Sequence, residues 1–216
     1  MTSTLFSFLF PHPDLAERYS RSFHAEPQKV IYEFRGWKDS ARVLYIQKGI
    51  FQIEVLQHSR WHPIDLVLQD QFLGIESFLE NREEWKGIHY RVKSLTEGEG
   101  CLIKKHYFLD HMYANPKVFF ALVEQLTRGL LHHQYIAYRQ VGELTKDVVH
   151  YLNQLVESGG FYPQNGQVVL PKEINTKVIA EHLHTSEKQL HEAIKVLEAE
   201  HILKQKYRSF ILQADS

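Results

Sequence analysis

The sequence has very little of the residue type from which disulfides and many metal centres are built. It contains a single cysteine, Cys101, among 216 residues. One cysteine cannot form an internal disulfide, an all-cysteine zinc site or an iron–sulfur cluster held by one chain. Such low cysteine use is typical of a reducing compartment, so we expect a cytoplasmic protein without a cofactor or a metal.

Long hydrophobic runs and an excess of charge of one sign are also missing. The most apolar stretch, residues 5–10, follows no lysine or arginine and ends at Pro11. It is too short for a signal peptide or a membrane span, and we expect a strand or extended segment packed on the protein or a partner. The formal net charge is -1, so any binding of nucleic acid must depend on local patches.

Short β-strands separated by turn residues are predicted from Gln28 to about Lys104. The β-branched and partly alternating segments are Val30–Tyr32, Val43–Ile46, Phe51–Val55 and Ile64–Leu68. Glycine and proline residues punctuate them. Several short strands at this spacing are typical of an antiparallel sandwich or barrel.

Helical periodicity follows the predicted strands. A short helix is predicted from His106 to Asn115, and Pro116 suits the first turn of the next helix. That second helix runs to about Leu144, with apolar steps of three and four at Phe119, Val123, Leu126, Leu130, His133, Ala137, Val141 and Leu144. The pattern favours a dimer seam, and a helix that merely covers the barrel is the simpler alternative.

Residues 175–197 carry the most informative pattern in the chain. Their apolar residues fall into two short helical stripes, separated by little more than His184, Thr185 and Ser186. Ser186 and Gln189 have the spacing of a capping box at the start of the second helix. A helix pair joined this closely is typical of a helix-turn-helix, whose second helix can lie in the major groove of DNA.

These patterns predict an α+β chain in three parts. Residues 1–115 form an antiparallel β-barrel of the jelly-roll or double-stranded β-helix type, and residues 116–144 form a long dimerisation helix. Residues 145–216 form a winged helix-turn-helix. That third part opens with an amphipathic helix ending at Gly159–Gly160, and it closes with a hairpin whose turn is residues 206–209.

This order of parts resembles the Crp/Fnr superfamily of bacterial transcription regulators over nearly the whole chain. The resemblance is carried by VLYIQKGIFQIEVL (43–56), QFLGIESFL (71–79), SLTEGEGCLIKKHYFLDHMYANP (94–116) and the apolar skeleton of the helix pair. It implies a homodimer that binds a roughly palindromic operator in double-stranded DNA. It also suggests RNA polymerase and an unknown small effector as further partners.

The segment that resembles a cyclic-nucleotide site departs from the family pattern. Nucleotide-binding members have a Gly-Glu pair, whereas here Gly74 precedes Ile75 and Glu76 stands one place late. The family's phosphate-binding arginine is matched only by the nearby Arg91, and a one-residue shift turns a strand side chain to the opposite face. We expect an effector other than cyclic AMP, or none, with Gly74, Glu76 and Arg91 as candidate binding residues. The 14 histidines leave the haem-sensing branch open without supporting it.

The resemblance also assigns candidate DNA contacts. Family members that read guanine place two arginines on the second helix, and the matching residues here are Glu187 and Glu192, which can only accept hydrogen bonds. The candidate contacts to bases or phosphates are Thr185, Ser186, Lys188, Gln189, His191, Lys195, Lys206 and Arg208. From Lys146 onward the sequence has eight basic and nine acidic residues. Because this part has no excess of positive charge, its affinity for DNA should be weak and should depend on the two copies of a dimer.

Two other functions fit parts of the sequence. A protein-interaction module that has lost DNA binding would account for Glu187, Glu192 and the charge balance. A barrel enzyme would need a metal, but the cupin pattern of paired histidines and a glutamate is missing, as are a nucleophile elbow and a phosphate loop, so we expect no enzyme activity. His182 and His184 are predicted to be solvated turn residues, and Cys101 a small core residue.

Overall fold

The computed structural model describes residues 4–35, 42–78, 87–138, 144–159, 161–206 and 209–213. The chain divides into two compact units, Met1–His132 and His133–Ser216. The three-part division drawn from the sequence stays a prediction.

Two antiparallel sheets form the frame of the first unit. The described strands are β1 Ser20–Ala25, β2 Val30–Arg35, β3 Arg42–Lys48, β4 Phe51–Gln57, β5 Arg60–Val67, β6 Phe72–Leu73, β7 His89–Ser94 and β8 Gly98–Lys104. Their orders are β1-β8-β3-β6 and β2-β7-β4-β5, with antiparallel pairing throughout. The antiparallel barrel-like domain predicted from the sequence is confirmed.

The facing sides of the two sheets share one hydrophobic core. Leu44 from one sheet and Phe51 and Val92 from the other belong to the same buried cluster, and Tyr90 packs against it. Burying a side chain of this size contributes about 1.5–3 kcal/mol. Because side chains alternate along a strand, Tyr90 and Val92 face the core while Arg91 faces away from it.

Helices cover the other side of the β1-β8-β3-β6 sheet. They are α1 Thr4–Leu9, α2 Pro13–Tyr19, α3 Lys105–Ala114 and α4 Pro116–Tyr138. Leu9, Phe10 and Val118 share a buried cluster with Cys101 of β8. The extended segment expected over residues 5–10 was therefore wrong, because these apolar residues form helix α1 and lead into that cluster.

The second unit combines three helices with a small sheet. Its described elements are α5 Leu144–Gly159, β9 Gln167–Val169, α6 Thr176–His182, α7 Glu187–Ala199, β10 Leu203–Lys206 and β11 Ser209–Gln213. Both α5 and α6 pack against α7, and the sheet order is β10-β11-β9. Leu152, Ile179, Leu190 and Phe210 are fully buried. The predicted winged helix-turn-helix architecture is confirmed.

Candidate functional site

The turn between α6 and α7 is held by the residues that the sequence singled out. His184 has a φ of 47°, in the left-handed region that histidine enters more readily than most residues. The Ser186 hydroxyl accepts a hydrogen bond from the Gln189 amide at 3.2 Å, and the Gln189 side chain accepts one from the Ser186 amide at 3.3 Å. The predicted capping box is confirmed, and it fixes where α7 begins.

Helix α7 buries one face and exposes the opposite one. The buried face consists of Leu190, Ala193, Ile194 and Leu197. The exposed side chains are Glu187, Lys188, Gln189, His191, Glu192 and Lys195. The structure thus brings most candidate DNA contacts to one helix and its first turn. Lys206 is exposed on β10, and Arg208 lies outside the described residues.

Two side chains on the exposed face of α7 already make local hydrogen bonds. The Gln189 Oε1 atom accepts from the Ser186 hydroxyl at 2.8 Å and from the Thr185 hydroxyl at 3.2 Å. His191 Nδ1 lies 2.7 Å from the Glu187 carbonyl oxygen. Because a carbonyl oxygen can only accept, Nδ1 carries the proton, and Nε2 of the neutral ring keeps its lone pair.

The prediction that His182 is solvated was wrong, whereas His184 is exposed as expected. His182 is 6% exposed, its Nδ1 donates to the Val178 carbonyl at 2.7 Å, and its ring stacks on Tyr151. The end of α6 faces the core of the unit, which explains the burial. No group of three or more histidine, cysteine or acidic residues in the described ranges is placed to hold a metal ion.

A search of the described helices for membrane-spanning segments found none that is both long and apolar enough.

Glu76 is half-buried in the first unit, two residues after Gly74. Gly74 follows β6 with a φ of 82°, and a Cβ atom there would come within 2.9 Å of the Arg42 carbonyl oxygen, so glycine is needed. The Glu76 carboxylate accepts from the Tyr32 hydroxyl at 3.2 Å and from the Tyr90 hydroxyl at 2.5 Å. Burial, followed by the Glu76 charge, raises the pKa of Tyr90.

Arg91, the third candidate effector residue, lies on the outer face of the β2-β7-β4-β5 sheet. Its Nε donates to Glu54 at 2.6 Å, and its guanidinium lies 4.2 Å from the centroid of the Trp61 ring. The Lys93 ammonium lies 2.7 Å from the second oxygen of Glu54, which is only 5% exposed. The structure therefore does not bring Arg91 together with the other two candidates.

Gln125, which was not predicted from the sequence, connects α4 to the strand preceding Gly74. Its Oε1 accepts from the Phe72 amide at 2.8 Å, and its Nε2 donates to the Phe72 carbonyl at 2.9 Å. The side chain replaces a neighbouring strand at the open edge of β6. Val118 and Leu122 lie seven and three residues before Gln125 and are buried. Gln125 therefore occupies a position where the helical periodicity predicts an apolar residue, and this departure was the signal in the sequence.

A different face of α4 is apolar and exposed. Phe119, Val123, Leu126 and Leu130 are 45%, 39%, 52% and 58% exposed. These are the first four positions of the predicted seam. The side chains of the later positions His133, Ala137 and Val141 lie outside the described residues. The exposed stripe is an unusual surface unless something covers it.

Similarity to known proteins was found at the level of three-dimensional structure. No family model and no curated protein matches the sequence. A cyclic nucleotide-binding domain containing protein from Listeria monocytogenes matches with a TM-score of 0.72 and 19% identity, over 98% of this chain and 98% of its own. A CRP/FNR family transcriptional regulator from Thermus thermophilus matches with a TM-score of 0.64 and 16% identity, over 89% and 93%.

A third solved structure, a c-di-GMP responsive global regulator from Xanthomonas campestris, matches with a TM-score of 0.63 and 15% identity, over 92% of this chain and 96% of its own. These alignments span the chain from the β-domain to the winged helix. The chain has the fold of the Crp/Fnr regulators.

Proposed function

We propose that the protein is a cytoplasmic, homodimeric transcription regulator that binds double-stranded DNA and has no enzyme activity. The observation that carries the proposal is the exposed face of α7, which follows a capped turn and has strand β10 of the wing packed beside the helix. A helix presented in this way fits the major groove, which is about 12 Å wide. Likeness in fold to solved transcription regulators supports it.

The apolar stripe of α4 supports the dimer. Phe119, Val123, Leu126 and Leu130 follow the steps of four, three and four that let two helices pack along a common seam. Covering them with the same stripe of a second copy would remove this apolar surface from water. The dimer would read two half-sites about 34 Å apart, one DNA turn.

The effector we propose is a molecule other than cyclic AMP, or none. A cyclic phosphate buried near Gly74 would need a positively charged side chain that faces it, whereas Glu76 supplies only a carboxylate, which is bonded to Tyr32 and Tyr90. Arg91 is engaged with Glu54 on the other face of its sheet, so it offers the phosphate no compensation there. RNA polymerase is a further partner we propose for the DNA-bound dimer.

Selection from random duplex DNA tests this function. The full-length protein should enrich a two-fold-symmetric motif, and its affinity for that motif should fall steeply as salt rises. Lys188→Ala should weaken binding to the selected motif. A folded dimer that enriches no sequence at low salt would overturn the proposal.

A protein-interaction module is the second candidate function. It is favoured by the exposed Glu187 and Glu192 on the face of α7 that would otherwise approach phosphates. A dimer without sequence preference, whose weak DNA binding is unchanged in Lys188→Ala, would place this candidate first.

A further inference from the structure

The exposed face of α7 is rich in hydrogen-bond acceptors. The carboxylates of Glu187 and Glu192 can only accept. When its ring is neutral, His191 adds an acceptor at Nε2, because its Nδ1 proton is donated to the Glu187 carbonyl oxygen at 2.7 Å. Lys188 and Lys195 supply donors on the same face.

The remaining side chain of this face cannot read adenine in the usual two-point manner. A glutamine reads adenine by accepting from N6 and donating to N7. In this chain Gln189 Oε1 already accepts from Thr185 and from Ser186 as part of the capping box. The Gln189 NH2 group can therefore still donate a hydrogen bond. The side chains of this face that can accept one from a base are the two glutamates and a neutral His191.

We propose that α7 reads base pairs through the exocyclic amines of cytosine and adenine, with cytosine N4 as the preferred partner of Glu187 and Glu192. In the major groove, guanine presents the acceptors N7 and O6, and thymine presents the acceptor O4. A carboxylate facing either base would meet a second acceptor. Adenine places N7 beside its N6 donor on the same base, whereas cytosine itself presents no acceptor in the major groove beside N4. This inference rests on the proposed DNA-binding function.

The spacing of the charged residues fits such a reading. Lys188, Glu192 and Lys195 are separated by four and three positions, so they lie along one side of the helix. A C·G pair could then place cytosine N4 on Glu192 and guanine O6 or N7 on a flanking lysine. The lysines also offset the repulsion between Glu192 and the DNA phosphates.

The test is a set of parallel selections from random duplex DNA with the full-length protein, Glu192→Gln, Glu187→Gln and Glu200→Gln. Glu200 is exposed at the far end of α7, so its variant makes the same charge change away from the proposed contacts. Wild type should prefer cytosine over guanine about tenfold or more at a position in each half-site. Glu192→Gln or Glu187→Gln should lose that preference, and Glu200→Gln should keep the wild-type motif.

The acceptor reading and the proposed DNA-binding function can be refuted separately. A wild-type motif that survives unchanged in both Glu187→Gln and Glu192→Gln would overturn the acceptor reading and leave the proposed function standing. A wild-type protein that enriches nothing would overturn the proposed function, and the acceptor reading with it.

Discussion

Replacing Gln125 with leucine tests how the long helix holds the edge of the β-domain. The amide of Gln125 makes two hydrogen bonds to the backbone of Phe72, at 2.8 and 2.9 Å. Leucine keeps a similar volume but offers no polar atom. Phe72 is 1% exposed, so its N–H and C=O groups would lose their partners at a poorly hydrated position.

The expected loss follows from these two bonds. Leaving a buried backbone group unsatisfied costs about 1–3 kcal/mol. Because β6 is a short edge strand, water can reach part of the gap, and we expect Gln125→Leu to lower the free energy of unfolding of the first unit by about 2–4 kcal/mol. Amide exchange at Phe72 should become at least about 30-fold faster, the equivalent of 2 kcal/mol.

Urea unfolding and residue-resolved hydrogen exchange measure both quantities. Glu124→Gln, on the neighbouring residue of the same helix, is the matched control. Its partner Arg128 lies 2.8 Å away, but the two side chains are 64% and 60% exposed, so the loss should be a few tenths of a kcal/mol. An unchanged urea midpoint and unchanged Phe72 exchange in Gln125→Leu would refute the reasoning.

Four further predictions follow from single residues. Leu130→Glu should be a monomer in sedimentation experiments. The control Leu131→Glu should stay dimeric, because Leu131 is equally exposed at 58% but lies about 100° further around α4. The reverse result would contradict the predicted seam. Ser186→Ala should cost about 1 kcal/mol in thermal unfolding through the lost cap. Burial raises the pKa of the Cys101 thiol to about 12, so a thiol reagent at pH 8 should label it only as fast as the protein unfolds. Burial lowers the pKa of His111 below 6.5, so the unfolded chain binds the proton at a higher pH than the folded chain does. The free energy of unfolding should therefore fall as the pH drops below 6.5, and His111→Gln should reduce that fall, as measured by urea midpoints.

The features that sequence predicted well are local ones. The capping box needs residues three positions apart, and the turn at residues 184–186 depends on a short break between two helical stripes. The α4 stripe is a periodicity that any helix converts into a face. In each case, residues close in sequence determine the geometry, so the pattern and the structure agree.

Tertiary structure decided what depends on partners far along the chain. Arg91 turned away from Glu76 because strand pairing sets which face each side chain occupies, and that register is fixed by distant strands. Gln125 forms hydrogen bonds with a residue 53 positions away. The N-terminal apolar segment forms a helix whose apolar residues pack in a buried cluster with residues far along the chain. His182 was buried by the same packing. After the N-terminal segment, the types of the main elements were predicted by the sequence pattern. The partners of the polar side chains were determined by the fold, because hydrogen bonds require positions that only long-range packing supplies.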